Sequence, residues 1–285
     1  MRHAIVPCLI LTTMLMGTTG CRAAKADPSA PDSPASSVPA AKTLTEKDAM
    51  KLVWSDEFDK DGLPDPAKWG YEVGMLRNKE LQWYTKDRLD NARVEGGNLV
   101  ITARKEPYGN AGYTSASLNT RATFPFTYGR IEVRAKLPTG RGTWPAIWTL
   151  GVDHETWPVC GEIDIMEHVG FDPDQVHATV HTGAYNHLKN THKGHAEPLP
   201  KAAAEFHVFA ADWTTTGIAF FLDGKQISSY PNDGKGDRET WPFTTPQYLL
   251  LNLAIGGGWG GAQGIDDSVF PATYLIDYVR IYQKR

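Results

Sequence analysis

Three acids within six residues, Glu162-Ile163-Asp164-Ile165-Met166-Glu167, are the side chains of this chain best placed to do chemistry. In a strand, successive side chains alternate faces. Glu162 and Asp164 then point one way, while Ile163 and Ile165 enter a core. Glu167, five positions after Glu162, belongs on the opposite face. One extra residue, a β-bulge near Ile165 or Met166, returns it to the face of the other two acids. Bulges recur beside active sites because they re-aim a side chain. At about 3.3 Å per residue, with one residue lost to the bulge, the Glu162 and Glu167 Cα atoms lie about 13 Å apart. Two glutamates leaning together close that to a carboxyl gap of about 5–5.5 Å, the spacing of a nucleophile and an acid/base that open a glycosidic bond with retention. The plain alternative is an amphipathic strand with a solvated face. It is disfavoured because three like charges on one face repel.

Positioning those acids falls to β-structure. Arg130, Glu132, Arg134 and Lys136 alternate with Ile131, Val133, Ala135 and Leu137, the pattern of a half-buried strand. Further strands are expected at Leu52–Phe58, Asn98–Arg104, Trp144–Leu150, His177–His181, Phe206–Asp212, Gly217–Leu222, Lys225–Tyr230 and Ile276–Tyr282. Tyr248–Ala254 is nearly all apolar and suits a central strand, and Asp223-Gly224 marks a tight hairpin. Helical period is confined to the approach at Thr45–Val53. Many strands, abundant Gly and Pro, and no internal repeat predict an all-β, two-sheet sandwich. Periodicity does not separate a jelly roll from an immunoglobulin-like sandwich.

The stretch Cys160-Gly161-Glu162-Ile163-Asp164-Ile165-Met166-Glu167-His168-Val169-Gly170 closely resembles the signature of glycoside hydrolase family 16, in the bulged E-x-D-x-x-E form of its laminarinase-like members. The likeness extends to Leu52-Val53-Trp54-Ser55-Asp56-Glu57-Phe58, Asn78-Lys79-Glu80-Leu81-Gln82-Trp83-Tyr84, Tyr128-Gly129-Arg130-Ile131-Glu132, Trp144-Pro145-Ala146-Ile147-Trp148 and Asp277-Tyr278-Val279-Arg280-Ile281-Tyr282, in that order. It implies a jelly roll with one sheet curved into an open cleft. It also implies an endo-acting enzyme using Glu162 as nucleophile, Glu167 as acid/base and Asp164 as the tuning acid between them. Laminarin-type β-1,3-glucan leads as substrate and mixed-linkage β-1,3-1,4-glucan follows. Agarases and carrageenases share the motif, so a galactan is an alternative, as is transglycosylation. A surface glycan-binding protein without catalysis is the rival from another class. It would normally have lost one of the three acids, all of which stand here.

Nine tryptophans is a high count; core packing explains some, and indole faces also stack on the flat C–H faces of sugars. Trp144 and Trp148 share a face of a regular strand. Trp259 sits in Ile255-Gly256-Gly257-Gly258-Trp259-Gly260-Gly261, where a large aromatic in a glycine loop reads as a ligand platform. Phosphate cradling is the weaker reading of those glycines, since no helix or Lys-Ser/Thr follows. The resemblance places Asn78 in a sugar-contacting loop with Glu80, and His181 beside the acids. His177 and His181 share a strand face, but a metal there lacks an evident third ligand. Ser117 stands where laminarinase-like members often carry a basic residue. No cofactor is expected for catalysis. The resemblance implies one structural calcium, with Glu57, Gly97 and Asp277 as the matching positions; oxygen ligands suit that ion.

The N-terminus reads as an export signal over residues 1–20. Arg2 and His3 precede an apolar run from Ala4 to Met16, too short to span a bilayer. Thr18-Thr19-Gly20-Cys21 resembles a lipobox that would put lipid on Cys21, the competing reading being secretion after Ala24-Lys25-Ala26. From Arg22 to Ala41, 15 of 20 residues are Ala, Pro or Ser, a tether that buries no core. The linker is assigned to 21–46 and the catalytic domain to 47–285. With Cys8 in the signal and Cys21 taken up by lipid, Cys160 is the single free cysteine of the mature chain, which excludes an internal disulfide. It is expected to pack beside the cleft. A net charge of −4 offers no basic patch for nucleic acid. The expected state is a monomer touching membrane only through its lipid.

Overall fold

The computed structural model describes residues 50–152 and 156–284. The signal, Cys21 and the linker lie outside the described residues. Among the described residues there are seventeen strands: Met50–Asp56 (β1), Gly70–Tyr71 (β2), Gln82–Tyr84 (β3), Ala92–Glu95 (β4), Asn98–Tyr108 (β5), Ala111–Ser115 (β6), Ser117–Asn119 (β7), Gly129–Lys136 (β8), Thr143–Gly151 (β9), Glu162–Glu167 (β10), Gln175–His181 (β11), Lys193–Pro198 (β12), His207–Trp213 (β13), Gly217–Leu222 (β14), Lys225–Pro231 (β15), Gln247–Ile255 (β16) and Ala272–Lys284 (β17). A seven-stranded sheet runs β12-β11-β10-β9-β16-β7-β2. A ten-stranded sheet runs β15-β14-β13-β8-β17-β5-β6-β3, with β1 on β17 and β4 on β5. The two sheets form the jelly-roll sandwich.

Alternation builds the core. Ile131, Val133 and Ala135 of β8 are buried against Ile163 of β10 and Leu249, Leu251 and Leu253 of β16, while Arg130, Glu132 and Arg134 face outward. Arg130 there pairs with Glu132 and Asp212. All nine residues of β16 are buried, because both of its faces are covered. One face joins the core; on the other, Tyr248 and Leu250 pack with Ala146 and Trp148 in a separate apolar layer beneath the cleft. Asp223 (φ 49°) and Gly224 (φ 79°) both take the left-handed conformation that a two-residue hairpin turn between β14 and β15 requires.

The helical reading of Thr45–Val53 fails where it is described. Met50 to Val53 belong to β1, which pairs with β17 from Met50↔Lys284 to Asp56↔Val279. Pairing with the C-terminal strand satisfies the backbone there, and it leaves Leu52 and Val53 largely exposed. Periodicity also missed β2, β3, β4, β6, β7 and β12, none longer than six residues and so too brief to show a pattern.

Candidate active site

The bulge is present where the acids need it. On one side β10 pairs Asp164↔Trp148 and then Met166↔Ile147; on the other it pairs Asp164↔Thr179 and then Glu167↔His177. Ile165 and Met166 therefore both point into the core, consecutive yet on one side. Glu167 returns to the concave face, and Glu162, Asp164 and Glu167 line one cleft. Arg77, Trp148 and Asn252 flank the acids toward β16. Toward β12 the cleft widens to about 770 Å³, bounded by His177, Thr179, His181, His192 and Trp259.

Each glutamate is held by an indole. Trp157 Nε1 donates to Glu162 Oε2 at 2.9 Å, and Trp144 Nε1 donates to Glu167 Oε1 at 3.0 Å. Trp144 is itself braced edge-on by Trp259, 5.6 Å away between ring centroids, and Trp259 also meets His177 at 4.8 Å. Trp259 stands on a single helical turn, Gly257–Gly260 (α1), where a loop was expected. Gly257 has φ +73°, and a Cβ there would lie 3.0 Å from the Asn78 carbonyl. This glycine lets α1 close on the Asn78 turn, where Gly258 N donates to Asn78 O at 2.9 Å. Asn78 and Lys79 are both left-handed, and the Asn78 amide donates to Glu80 Oε1 at 3.2 Å. Buried Glu80 also accepts from Gln82 and Tyr84.

The electrostatics separate the two glutamates. Burial raises Glu162 to about 7, opposed by the Trp157 hydrogen bond, the Arg77 charge and a hydrogen bond with Asp164. Burial, together with the charges of Glu162 and Glu80, raises Glu167 to about 8, and only the Trp144 bond opposes these. No cation offsets the rise at Glu167, so of the two it is the group that keeps its proton. Glu162, with a guanidinium in reach, ionises first. Asp164, 3% exposed, is raised well above the ordinary Asp range by burial and then by its two acidic neighbours, so it stands protonated against Glu162. His181 Nε2 lies 3.4 Å from Asp164 and 3.8 Å from Glu162. Burial lowers it to about 3, so it is neutral and adds no positive charge. Among the described residues the side chains that converge on His181 as possible ligands are two acids, Glu162 and Asp164; His177 is not among them.

Two predictions arise here. Asp164 has its proton affinity raised by folding, so its contribution to stability is full below the unfolded Asp value and is lost as pH rises through the folded one. Asp164→Asn removes that loss. Its melting temperature should exceed the parent's at alkaline pH and match it at about pH 3, where both forms are neutral; a constant difference across pH would refute the charge explanation. Arg77→Met should move the acid limb of kcat/KM upward, because the opposing charge on Glu162 is gone, while Arg77→Lys should restore the limb. An unmoved limb in Arg77→Met would remove Arg77 from the electrostatics of the site.

Of the expected contacts, Asn78, Trp144, His181 and Trp259 line the cleft. Trp148 lines it differently: it is 7% exposed, lies under the Arg77 guanidinium at 4.9 Å, and donates to Asn252 at 2.7 Å. It is floor rather than an open platform. Arg77, Trp157 and Asn252 were not foreseen. The adjacency of Arg77 to Asn78, and of Trp157 to the acidic motif, was the available signal. Ser117 is buried and donates to Glu72 at 2.7 Å, and Glu72 in turn pairs with Arg77. The cleft's cation therefore comes from the Asn78 loop, and the serine helps to hold its partner. Cys160 is buried, as expected.

The carboxylates at the positions expected for calcium face guanidinium groups: Arg280 takes both Glu57 oxygens, at 3.0 and 2.8 Å, and Arg134 pairs with Asp277 at 2.5 Å. Calcium at Glu57, Gly97 and Asp277 would be held through their backbone carbonyls, the one kind of oxygen that Gly97 can offer.

The family model for glycosyl hydrolases family 16 matches residues 78–280. A beta-glucanase of Rhodothermus marinus is 54% identical over 244 residues, which cover 82% of this chain and 85% of the relative. Glucan endo-1,3-beta-glucosidase A1 of Niallia circulans is 36% identical over 262 residues, covering 83% of this chain and 38% of that protein. The X-ray structure of the laminarinase from Rhodothermus marinus superposes with a TM-score of 0.81 at 52% identity, covering 83% of this chain and 98% of that one. With the bulged acid triad, the indole-held glutamates and the matched length together, the chain belongs to glycosyl hydrolases family 16.

Proposed function

We propose that this protein is a retaining endo-β-glucanase that cleaves β-1,3-glucan of the laminarin type and accepts mixed-linkage β-1,3-1,4-glucan. The observation that carries this reading is the placement of Glu162, Asp164 and Glu167 midway along a cleft that continues past them on both sides. A chain can lie across such a cleft and be cut internally. Glu162 attacks the anomeric carbon as the glycosidic bond breaks, and Glu167 gives its proton to the leaving oxygen. Glu167, now ionised, takes a proton from water, which attacks the glycosyl–Glu162 ester and frees the sugar and the carboxylate. Protonated Asp164 steadies the Glu162 carboxylate between turnovers. The catalytic domain needs no cofactor for these steps.

The relatives named as a beta-glucanase, a laminarinase and a glucan endo-1,3-beta-glucosidase support glucan over galactan. The deciding experiment is product analysis with laminarin, lichenan, agarose and carrageenan, with the anomer followed by NMR. Oligosaccharides released from laminarin, first as the β-anomer, fit the proposal; products from a galactan alone overturn the substrate, and an initial α-anomer overturns retention.

The protein is further proposed to be exported and held on the cell envelope by lipid on Cys21, with residues 21–46 as tether. Cys21→Ala should release it from the membrane fraction. Unchanged membrane retention would refute the anchor.

A further inference from the structure

The geometry points to a second carbohydrate groove: a seam between β12 and β15 that takes a neutral β-glucan segment beyond the cleft and favours long chains over short ones. This rests on the glucanase reading above. The seam is a hollow of about 440 Å³ whose aromatic residues are Tyr185, Phe220 and Tyr230. That volume lies within the usual range for ligand sites, about 300–1,000 Å³.

Continuity with the cleft is the first argument. His192 and Gly194 line both hollows, so the cleft passes over the edge of the seven-stranded sheet at Gly194. Gly194 does not take the left-handed conformation that would demand glycine. Space favours it instead: a Cβ would sit 3.0 Å from Thr179 Oγ1 and 3.4 Å from His192 Cδ2, both tight contacts. A side chain there would begin to fill the passage.

The walls suit a sugar. Tyr230 is stacked on Trp241, 5.7 Å away at 17°, and its hydroxyl is tied to the Thr240 carbonyl at 2.6 Å. Tyr185 meets Tyr230 edge-on at 6.4 Å, and Lys193 Nζ lies 4.5 Å from the Tyr185 ring centre. Rings held this way lose little freedom when a pyranose lies on them. β12 and β15 are each outermost in their sheets, so their outer backbone N–H and C=O groups are available to sugar hydroxyls, which both donate and accept. Lys193 and Asp233, opposite in sign, both line the hollow, which suits an uncharged ligand. A peptide adding to either edge strand would use the same backbone groups, but it has no reason to share the passage at Gly194.

The test compares laminarin polymer with laminaritetraose for the parent, Tyr185→Ala and Tyr185→Phe. Tyr185→Ala should raise KM for the polymer about tenfold, the loss of one aromatic contact, with kcat unchanged. Tetraose kinetics should stay at the parent level in both variants, which also reports that they fold, and Tyr185→Phe should restore the polymer KM. Equal effects on both substrates, or an unchanged polymer KM in Tyr185→Ala, overturn the proposal; the second result leaves the seam to an occupant of other chemistry, such as an edge-pairing peptide. A parent that cleaves neither substrate overturns the glucanase reading and this groove assignment together, and is distinguished by the inert tetraose.

Discussion

Replacing Glu162 by alanine should lower kcat on laminarin by at least about 10⁴-fold, the scale on which removal of a covalent nucleophile acts. The loss should fall on kcat more than on KM, because the cleft walls from Arg77 to Trp259 stay in place. Sodium azide should then restore turnover. The small anion fits the volume vacated by the side chain and attacks the anomeric carbon from the side where Glu162 stood. Glu167 still protonates the leaving oxygen, so the product is an α-glycosyl azide. Its anomeric configuration, read by NMR, is the decisive observation. Residual activity within a factor of ten of the parent, or a β-azide, would move the nucleophile to another residue. Glu162→Gln should be as inactive as alanine but without azide rescue, since the amide still fills the space and its carbonyl can still accept from Trp157.

The second large effect belongs to Glu167. Glu167→Gln should lower kcat on laminarin by about 10²–10⁴-fold, the usual contribution of a positioned general acid. A substrate whose aryl leaving group needs no proton should lose far less in the first chemical step. The pH profile supplies the independent check. The parent's kcat/KM requires Glu162 ionised and Glu167 protonated. Activity should therefore fall as pH drops below about 7, where Glu162 takes up a proton, and fall again as pH rises above about 8, where Glu167 loses its own. The two limbs belong to the interacting pair. Glu167→Gln cannot lose that proton, so the alkaline limb should vanish while the acid limb persists. An alkaline limb that survives in Glu167→Gln would assign the acid role elsewhere. The cause of the separation is local: Arg77 opposes the rise at Glu162, and nothing cationic opposes it at Glu167.

Much of this was legible in the residues. A strand's twofold alternation, read against five-residue spacing, required a bulge between Asp164 and Glu167, and the register shifts there on both flanks of β10. The nearly all-apolar Tyr248–Ala254 stretch predicted a strand covered on both sides, and β16 is one. Both readings work because they depend on short-range geometry that the pattern of side chains carries directly. The functional division between the glutamates did not. Trp157 and Trp144 reach them from a loop before β10 and from the neighbouring strand β9, and Arg77 comes from a turn 85 positions before Glu162 along the chain. Which acid keeps its proton depends on burial and on those approaches, none of which a linear spacing encodes. The same holds for Glu57 and Asp277. The family likeness marked them as calcium positions, and only the fold shows that Arg280 and Arg134 stand against their carboxylates. The sequence by itself determined the sandwich, the bulge and the identity of the three acids, because alternation is local. The tertiary structure alone decided their charges, since a pKa is set by what surrounds a group in space rather than along the chain.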